Sequence, residues 1–184
     1  RKLGRNSLGI ELNASVADKA SKLCQKVSGS SSAIIMQGDS LKINLKQVMQ
    51  SYGIREFNFM LLHPPYHDII KFSNDDEDLS NARDTDEFLR MFEMAVDNVT
   101  PYLQKKRFLA LVIGDQYRDG EWVPLGFLSM NVLIRKKFTL KSIIVKNFDR
   151  TKGKQKNSGL WRYRAMAGGF YVFKHEYIMI FEKK

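Results

Sequence analysis

The chain has 184 residues, enough for one domain with a sizeable core, and its 43% hydrophobic content is ordinary for a globular protein. No apolar run approaches a membrane span, the opening "RKLGRN" carries no apolar leader, and the single cysteine, Cys24, excludes a disulfide framework or a cysteine-rich zinc site. The net charge of +10 is concentrated: residues 135–164 hold eleven Lys or Arg and one acid, Asp149, while the remaining charges cancel.

In chain order, "SLGIEL" reads as a strand ending in an acid, Glu11. A helix over Ala14 to Val27 follows, with Asn13 as its cap and an apolar stripe of Val16, Ala20, Leu23, Cys24 and Val27. "AIIMQGD" is a second strand, again closed by an acid, Asp39. "NLKQVMQSYG" is a short helix stopped by Gly53. "FNFMLL", Phe57 to Leu62, is a third strand, read as buried. Residues 67–87 carry eight acids and two bases with little periodicity and read as a surface loop. An amphipathic helix begins at Thr85, its expected cap, and buries Phe88, Met91, Phe92, Ala95, Val96 and Val99. "RFLALVIGD" is a fourth strand, Pro124 opens a helix to about Lys136, Phe138 to Asn147 is a fifth strand, and "HEYIMIFEK" is a sixth. Strand–helix alternation predicts an α/β fold, a doubly wound and mostly parallel sheet, closed by an antiparallel pair at one edge.

Ligands of such sheets sit beyond the carboxyl ends of the strands. That rule groups Glu11, Asp39 and the corner "HPPY", His63 to Tyr66, into one candidate site. Proline fixes φ and has no N–H, so Pro64 and Pro65 make a stiff turn whose carbonyls are free to accept hydrogen bonds. A neutral His63 is a further acceptor, and Tyr66 adds a flat face. Rigid acceptors beside a stacking surface suit a planar group bearing N–H₂, such as the exocyclic amine of adenine or cytosine. Holding both N–H bonds out of the ring plane localises the lone pair and aims it at an electrophile.

The basic segment interleaves charge with aromatics. Lys146, Arg150, Lys152, Lys154, Lys156, Arg162 and Arg164 are expected to meet phosphates, with Trp161, Tyr163 or Tyr171 stacking on bases. A solvated surface loop is the bland alternative. The bland reading also wins for His67 and Asp68, for Asp115 as a turn residue, and for Cys24 as core. The three histidines lack metal-ligand spacing, so no metal is expected.

"HPPY" after a strand resembles the Asp/Asn/Ser-Pro-Pro-aromatic motif of the DNA methylase N-4/N-6 family, amino-methyltransferases acting on adenine N6 or cytosine N4. "KLGRNSLGIELN", "MQGDS", "LVIGD", "GEWVPLGF" and "FKHEYIMIFEK" resemble successive segments of the same catalytic domain. The resemblance implies a Rossmann-like fold of the class I methyltransferase type, one catalytic domain over residues 1–184, and a nucleic-acid-binding loop over 146–164. It implies S-adenosylmethionine as cofactor. Glu11, with Leu12, would bind the ribose hydroxyls, Asp39, with Ser40, the adenine, and His63 would border the cofactor. It also implies double-stranded DNA as partner, with the target base flipped into the corner, and a cytoplasmic, prokaryotic or phage setting.

Two departures stand out. His63 occupies a position where Asp, Asn or Ser is usual, and no F-x-G-x-G loop occurs. Because the chain starts at Arg1 rather than Met, an upstream segment or a second chain is expected to supply that loop. A non-catalytic nucleic-acid-binding subunit and an RNA methyltransferase are the alternative readings.

Overall fold

The computed structural model describes residues 1–66, 78–148, 158–172 and 174–184. The chain divides into two compact units, Arg1–Phe57 with His67–Tyr102, and Asn58–Tyr66 with Leu103–Lys184.

In the first unit, β1 (Ser7–Glu11) and β2 (Ala33–Gln37) pair in parallel, with Glu11 opposite Gln37. Helix α1 (Ala14–Lys26) crosses between them, capped as expected by Asn13, whose side chain accepts from the Ser15 and Val16 amides. Its buried face is not the predicted one. Ala17 is buried and Ala20 and Cys24 half-buried, whereas Val16 and Leu23 are exposed. Small residues let the helix approach the strands closely, and that rotates the larger apolar ones outward. Helix α2 (Leu45–Ser51) is capped by Asn44 and ends at Gly53, which takes φ +65, a left-handed conformation that a side chain would disfavour. Helix α3 (Thr85–Val99) buries Phe88, Phe92, Ala95, Val96 and Val99, as its 3.6-residue period predicts. Its cap is Asp84, one residue before the expected Thr85; the Asp84 carboxylate accepts from the Glu87 amide.

In the second unit, β3 (Phe57–Leu62), β4 (Leu103–Ile113), β7 (Phe138–Asn147) and β8 (His175–Lys183) form a sheet in the order β3-β4-β8-β7. Strand β8 runs antiparallel to both β4 and β7. With the parallel β1–β2 pair, the described strands are therefore mixed in direction. Strand β3 lies at the edge of this sheet and buries only Met60, while Phe59 and Leu61 are exposed; the expectation of a buried strand is corrected here.

A short hairpin, β5 (Gln116–Arg118) and β6 (Glu121–Val123), turns at Asp119 and Gly120, both at positive φ. This Asp-Gly pair is a sequence signal for a primed turn. Helix α4 (Leu125–Arg135) packs on the sheet, with Leu125, Val132 and Leu133 fully buried. Helix α5 (Ser158–Gly168) occupies part of what the sequence reads as a continuous basic loop over 146–164. Among the described residues no helix is long and apolar enough to cross a membrane.

Candidate active site

The acids at the strand ends belong to the first unit. Parallel pairing puts Glu11 and Asp39 at the same end of β1 and β2, and the Gly38 amide bonds the Glu11 carbonyl at 3.0 Å. Glu11 Oε1 accepts from the Asn13 amide at 2.9 Å, which tethers the carboxylate beside the start of α1. Asp39 Oδ1 accepts from the Leu41 amide at 2.8 Å, and the Asp39 carbonyl accepts from Ile43 at 2.8 Å, so the turn is rigid.

Asp39 Oδ2 is buried and has no hydrogen-bond partner among the described residues. Such an oxygen is costly unless something donates to it. It borders an open cleft of about 430 Å³ lined by Met36, Gly38, Lys42, Ile43 and Gln47. At Gly38 a Cβ would lie 2.9 Å from Ile43 Cδ1, so a side chain there would require the Ile43 tip to move. Leu12 and Ser40 are half-buried, and the Ser40 carbonyl accepts from the Asn98 side chain at 2.9 Å.

The "HPPY" corner belongs to the second unit and follows the end of β3. Pro64, Pro65 and Tyr66 are half-buried and His63 is exposed. The Tyr66 carbonyl is taken by the Gln116 side-chain amide. Among the described residues no hydrogen bond is seen at the Pro64 or Pro65 carbonyl. The Tyr66 ring lies against Gly114, where a Cβ would come within 2.9 Å of Cε2. Its hydroxyl donates to Glu176 Oε2, and His63 Nε2 stands 3.5 Å from the same hydroxyl. The His63 and Tyr66 rings are tilted 42° to each other. One face of Tyr66 is thus covered, and its edge is fixed by a hydrogen bond.

Glu176 is the residue that sequence reasoning missed. It projects from β8, beside the apolar run Tyr177–Phe181, and is 5% exposed. Lys146 Nζ, on the neighbouring β7, reaches its Oε1 at 2.8 Å and sits 5.0 Å from the centre of the Phe148 ring. Burial pushes the Glu176 carboxyl up. The hydrogen bonds from Lys146 and Tyr66 and the nearby positive charge outweigh it and hold the group below its ordinary value. Burial first, and then Glu176, push the Tyr66 phenol well above its ordinary value. The available signal was an acid directly before the apolar run of a strand, a residue type rarely buried unless paired.

Lys146, expected to meet phosphate, spends at least one donor on Glu176. Arg162 and Arg164 are exposed on α5, which also carries Trp161; Arg150, Lys152, Lys154 and Lys156 lie outside the described residues, as do His67 and Asp68. Tyr163 and Arg164 line a second cleft, of about 450 Å³, with Tyr117, Asp119, Gly120 and Gly168. Asp115 is no plain turn residue. It is 2% exposed and accepts from the Gly126 amide at 3.0 Å, the Tyr177 hydroxyl at 2.9 Å and Trp122 Nε1 at 3.3 Å.

No family model and no curated protein matches the chain. Solved structures do. A putative DNA modification methylase from Thermus thermophilus is 17% identical with a TM-score of 0.51, covering 79% of this chain and 52% of its own. The PvuII cytosine-N4-specific DNA methyltransferase is 14% identical with a TM-score of 0.54, covering 80% and 48%. A glycopeptide N-methyltransferase, MtfA, complexed with S-adenosylmethionine is 10% identical with a TM-score of 0.54, covering 100% and 74%. The chain spans about half the length of the two DNA methylases. At these identities the likeness shows the fold alone, and that fold is the Rossmann-like α/β fold of class I methyltransferases.

Proposed function

We propose that this chain transfers a methyl group from S-adenosylmethionine to the exocyclic amino group of adenine (N6) or cytosine (N4) in DNA. The observation that carries the reading is the corner itself: a stiff Pro64–Pro65 turn and a His63 nitrogen beside a Tyr66 ring whose orientation Glu176 and Gly114 fix. The fold shared with methyltransferases of both DNA and small molecules supports methyl transfer, and the acceptor-rich corner favours an amine as its target.

The residues at the strand ends fit the cofactor. Its ribose hydroxyls and adenine amine are hydrogen-bond donors, and Glu11 and Asp39 offer carboxylate oxygens, one of them buried without a donor. When bound, S-adenosylmethionine supplies a methyl carried on a sulfonium sulfur. This chain's contribution is positional. The corner accepts the two amine hydrogens, turns the nitrogen lone pair out of conjugation, and excludes water from one face with the Tyr66 ring. An upstream segment or a second chain would complete the cofactor pocket. The exposed arginines of α5 and the basic residues before it would hold phosphates around a flipped base.

The test is methyl transfer by the natural polypeptide that contains this chain, with labelled cofactor and separate arms of duplex DNA, single-stranded DNA and RNA. Transfer to DNA is expected, and Pro65→Ala and Tyr66→Ala should each lower it by roughly 10²-fold or more. Full rates in both variants, or no transfer to any nucleic acid, would overturn the reading, and transfer confined to RNA would move the substrate.

A second reading, a non-catalytic nucleic-acid-binding subunit, is favoured by His63 at the motif's first position. Calorimetric titration with S-adenosylmethionine separates the two, since that reading predicts no cofactor binding.

A further inference from the structure

The first position of the corner needs a hydrogen-bond acceptor. Asp, Asn and Ser offer an oxygen there. Histidine offers one only if the correct ring nitrogen is free of its proton, and a neutral imidazole has two tautomers. The hydrogen bonds around Tyr66 decide between them.

The Glu176 carboxylate has no proton to give. Its Oε1 receives Lys146 Nζ at 2.8 Å, and Lys146 is a donor only. Its Oε2 receives the Tyr66 hydroxyl proton. A phenol has one proton, so the Tyr66 oxygen turns only lone pairs toward His63 Nε2, 3.5 Å away. Two lone pairs facing at that distance repel. A proton on Nε2 converts the contact into an attraction, at the long end of hydrogen-bond range. The second nitrogen, Nδ1, is then the acceptor. His63 is exposed, and Nδ1 has no partner among the described residues. Every donation in the row thus converges on the Glu176 carboxylate, from Lys146 on one side and from His63 through Tyr66 on the other.

We propose that Lys146, Glu176 and Tyr66 are a positioning relay that holds His63 as its Nε2–H tautomer and so presents Nδ1 to the substrate amine as the acceptor this motif requires. The proposal rests on the methyltransferase reading of the corner. It accounts for the one departure from the usual motif with residues of this chain, and it gives buried Glu176 and its lysine a role in substrate orientation. Among the described residues, the titratable groups interacting with His63 are Tyr66 from its own turn and Glu176 from β8, which Lys146 of β7 in turn binds.

The test is the tautomer itself, read by nitrogen NMR of the natural polypeptide labelled at its histidines. The chain has three histidines, and His63→Gln assigns the resonance. Wild type should show a protonated Nε2 and an unprotonated Nδ1 at His63. Glu176→Gln keeps the shape but reverses the row. Lys146 claims the amide oxygen, the amide N–H₂ donates to Tyr66, and the Tyr66 proton turns to Nε2. The population should shift toward Nδ1–H, and kcat should fall roughly 10²-fold with KM for the cofactor unchanged. Tyr66→Phe keeps the ring on Gly114 but removes the hydroxyl, and should leave a mixture of tautomers. A wild-type His63 protonated on Nδ1, or one tautomer ratio shared by wild type and both variants, would overturn the relay. If the tautomers behave as described but no nucleic acid is methylated, the relay stands and the functional reading falls. Methylation with unmoved tautomers is the reverse.

Discussion

Two buried acids do different work in the second unit. Glu176 faces the corner, whereas Asp115 faces the start of α4. Asp115 accepts from the Gly126 amide, an otherwise unpaired donor of the first helical turn, and from the Tyr177 and Trp122 side chains. Burial, and then Asp115 itself, push the Tyr177 phenol up to about 12, so the hydroxyl stays a donor at any ordinary pH. Pro124 at the helix cap makes no side-chain hydrogen bond, which leaves Asp115 as that turn's acceptor. Asp115→Ala would strand the buried Gly126 amide and take an acceptor from Tyr177, whose hydroxyl keeps His175 Nε2 at 3.1 Å, and from the exposed Trp122. It should lower stability by about 2–4 kcal/mol, read as a shift of the urea midpoint with little change in slope. A midpoint unchanged within error would show that water replaces the carboxylate.

At the scale of elements, the legible parts were those whose pattern matches a period. The apolar runs of β7 and β8 gave their bounds directly, and α3 followed its stripe of phenylalanines and valines. Helix α5 was illegible. Of its described side chains only Ala165 is buried, and basic and aromatic residues alternate along it without an apolar face. The α1 stripe misled because small residues, not large ones, face the strands. In the candidate site, the corner could be read from two prolines, but Glu176, Lys146 and Gly114 could not. Glu176 and Gly114 meet Tyr66 across long stretches of chain, Lys146 reaches Glu176 because strand pairing sets the two opposite, and no local pattern encodes that register. This cross-strand pair also makes a prediction. Glu176 is held below its ordinary value, so its stabilising contribution is present above the unfolded carboxyl value of about 4.3 and is lost as pH falls through the folded one. Lys146→Met removes the main counter-charge, and burial then pushes the carboxyl upward. The acid unfolding midpoint should move to higher pH. Stability at pH 7 should fall by about 1–2 kcal/mol, less than for a fully buried pair because Lys146 is half exposed. An acid transition at the wild-type pH would show that Tyr66 alone holds the charge.

Across the whole molecule, the charge distribution is the feature most nearly independent of folding detail. The net +10 resides in residues 135–164, accompanied by exposed aromatics such as Tyr163 at 70% and, just beyond, Tyr171 at 94% exposure. A cation that neutralises a DNA phosphate releases a condensed counterion, and the dependence of affinity on salt counts those events at about 0.9 per contact on duplex DNA. A merely solubilising run makes no such contribution. Lys152, Lys154 and Lys156 put three bases into five residues of the segment, and unlike Lys146 none has a role in the relay proposed above. Replacing all three with Gln should therefore reduce the slope of log affinity against log salt by about 2–3 on duplex DNA, and by somewhat less on single strands, where each contact counts for about 0.7. Fluorescence anisotropy across a salt series reads both slopes, with the His63 tautomer as a control that the His63–Tyr66 corner is unchanged. An unaltered slope would place these lysines off the nucleic acid and leave the exposed arginines of α5 to carry the phosphate contacts.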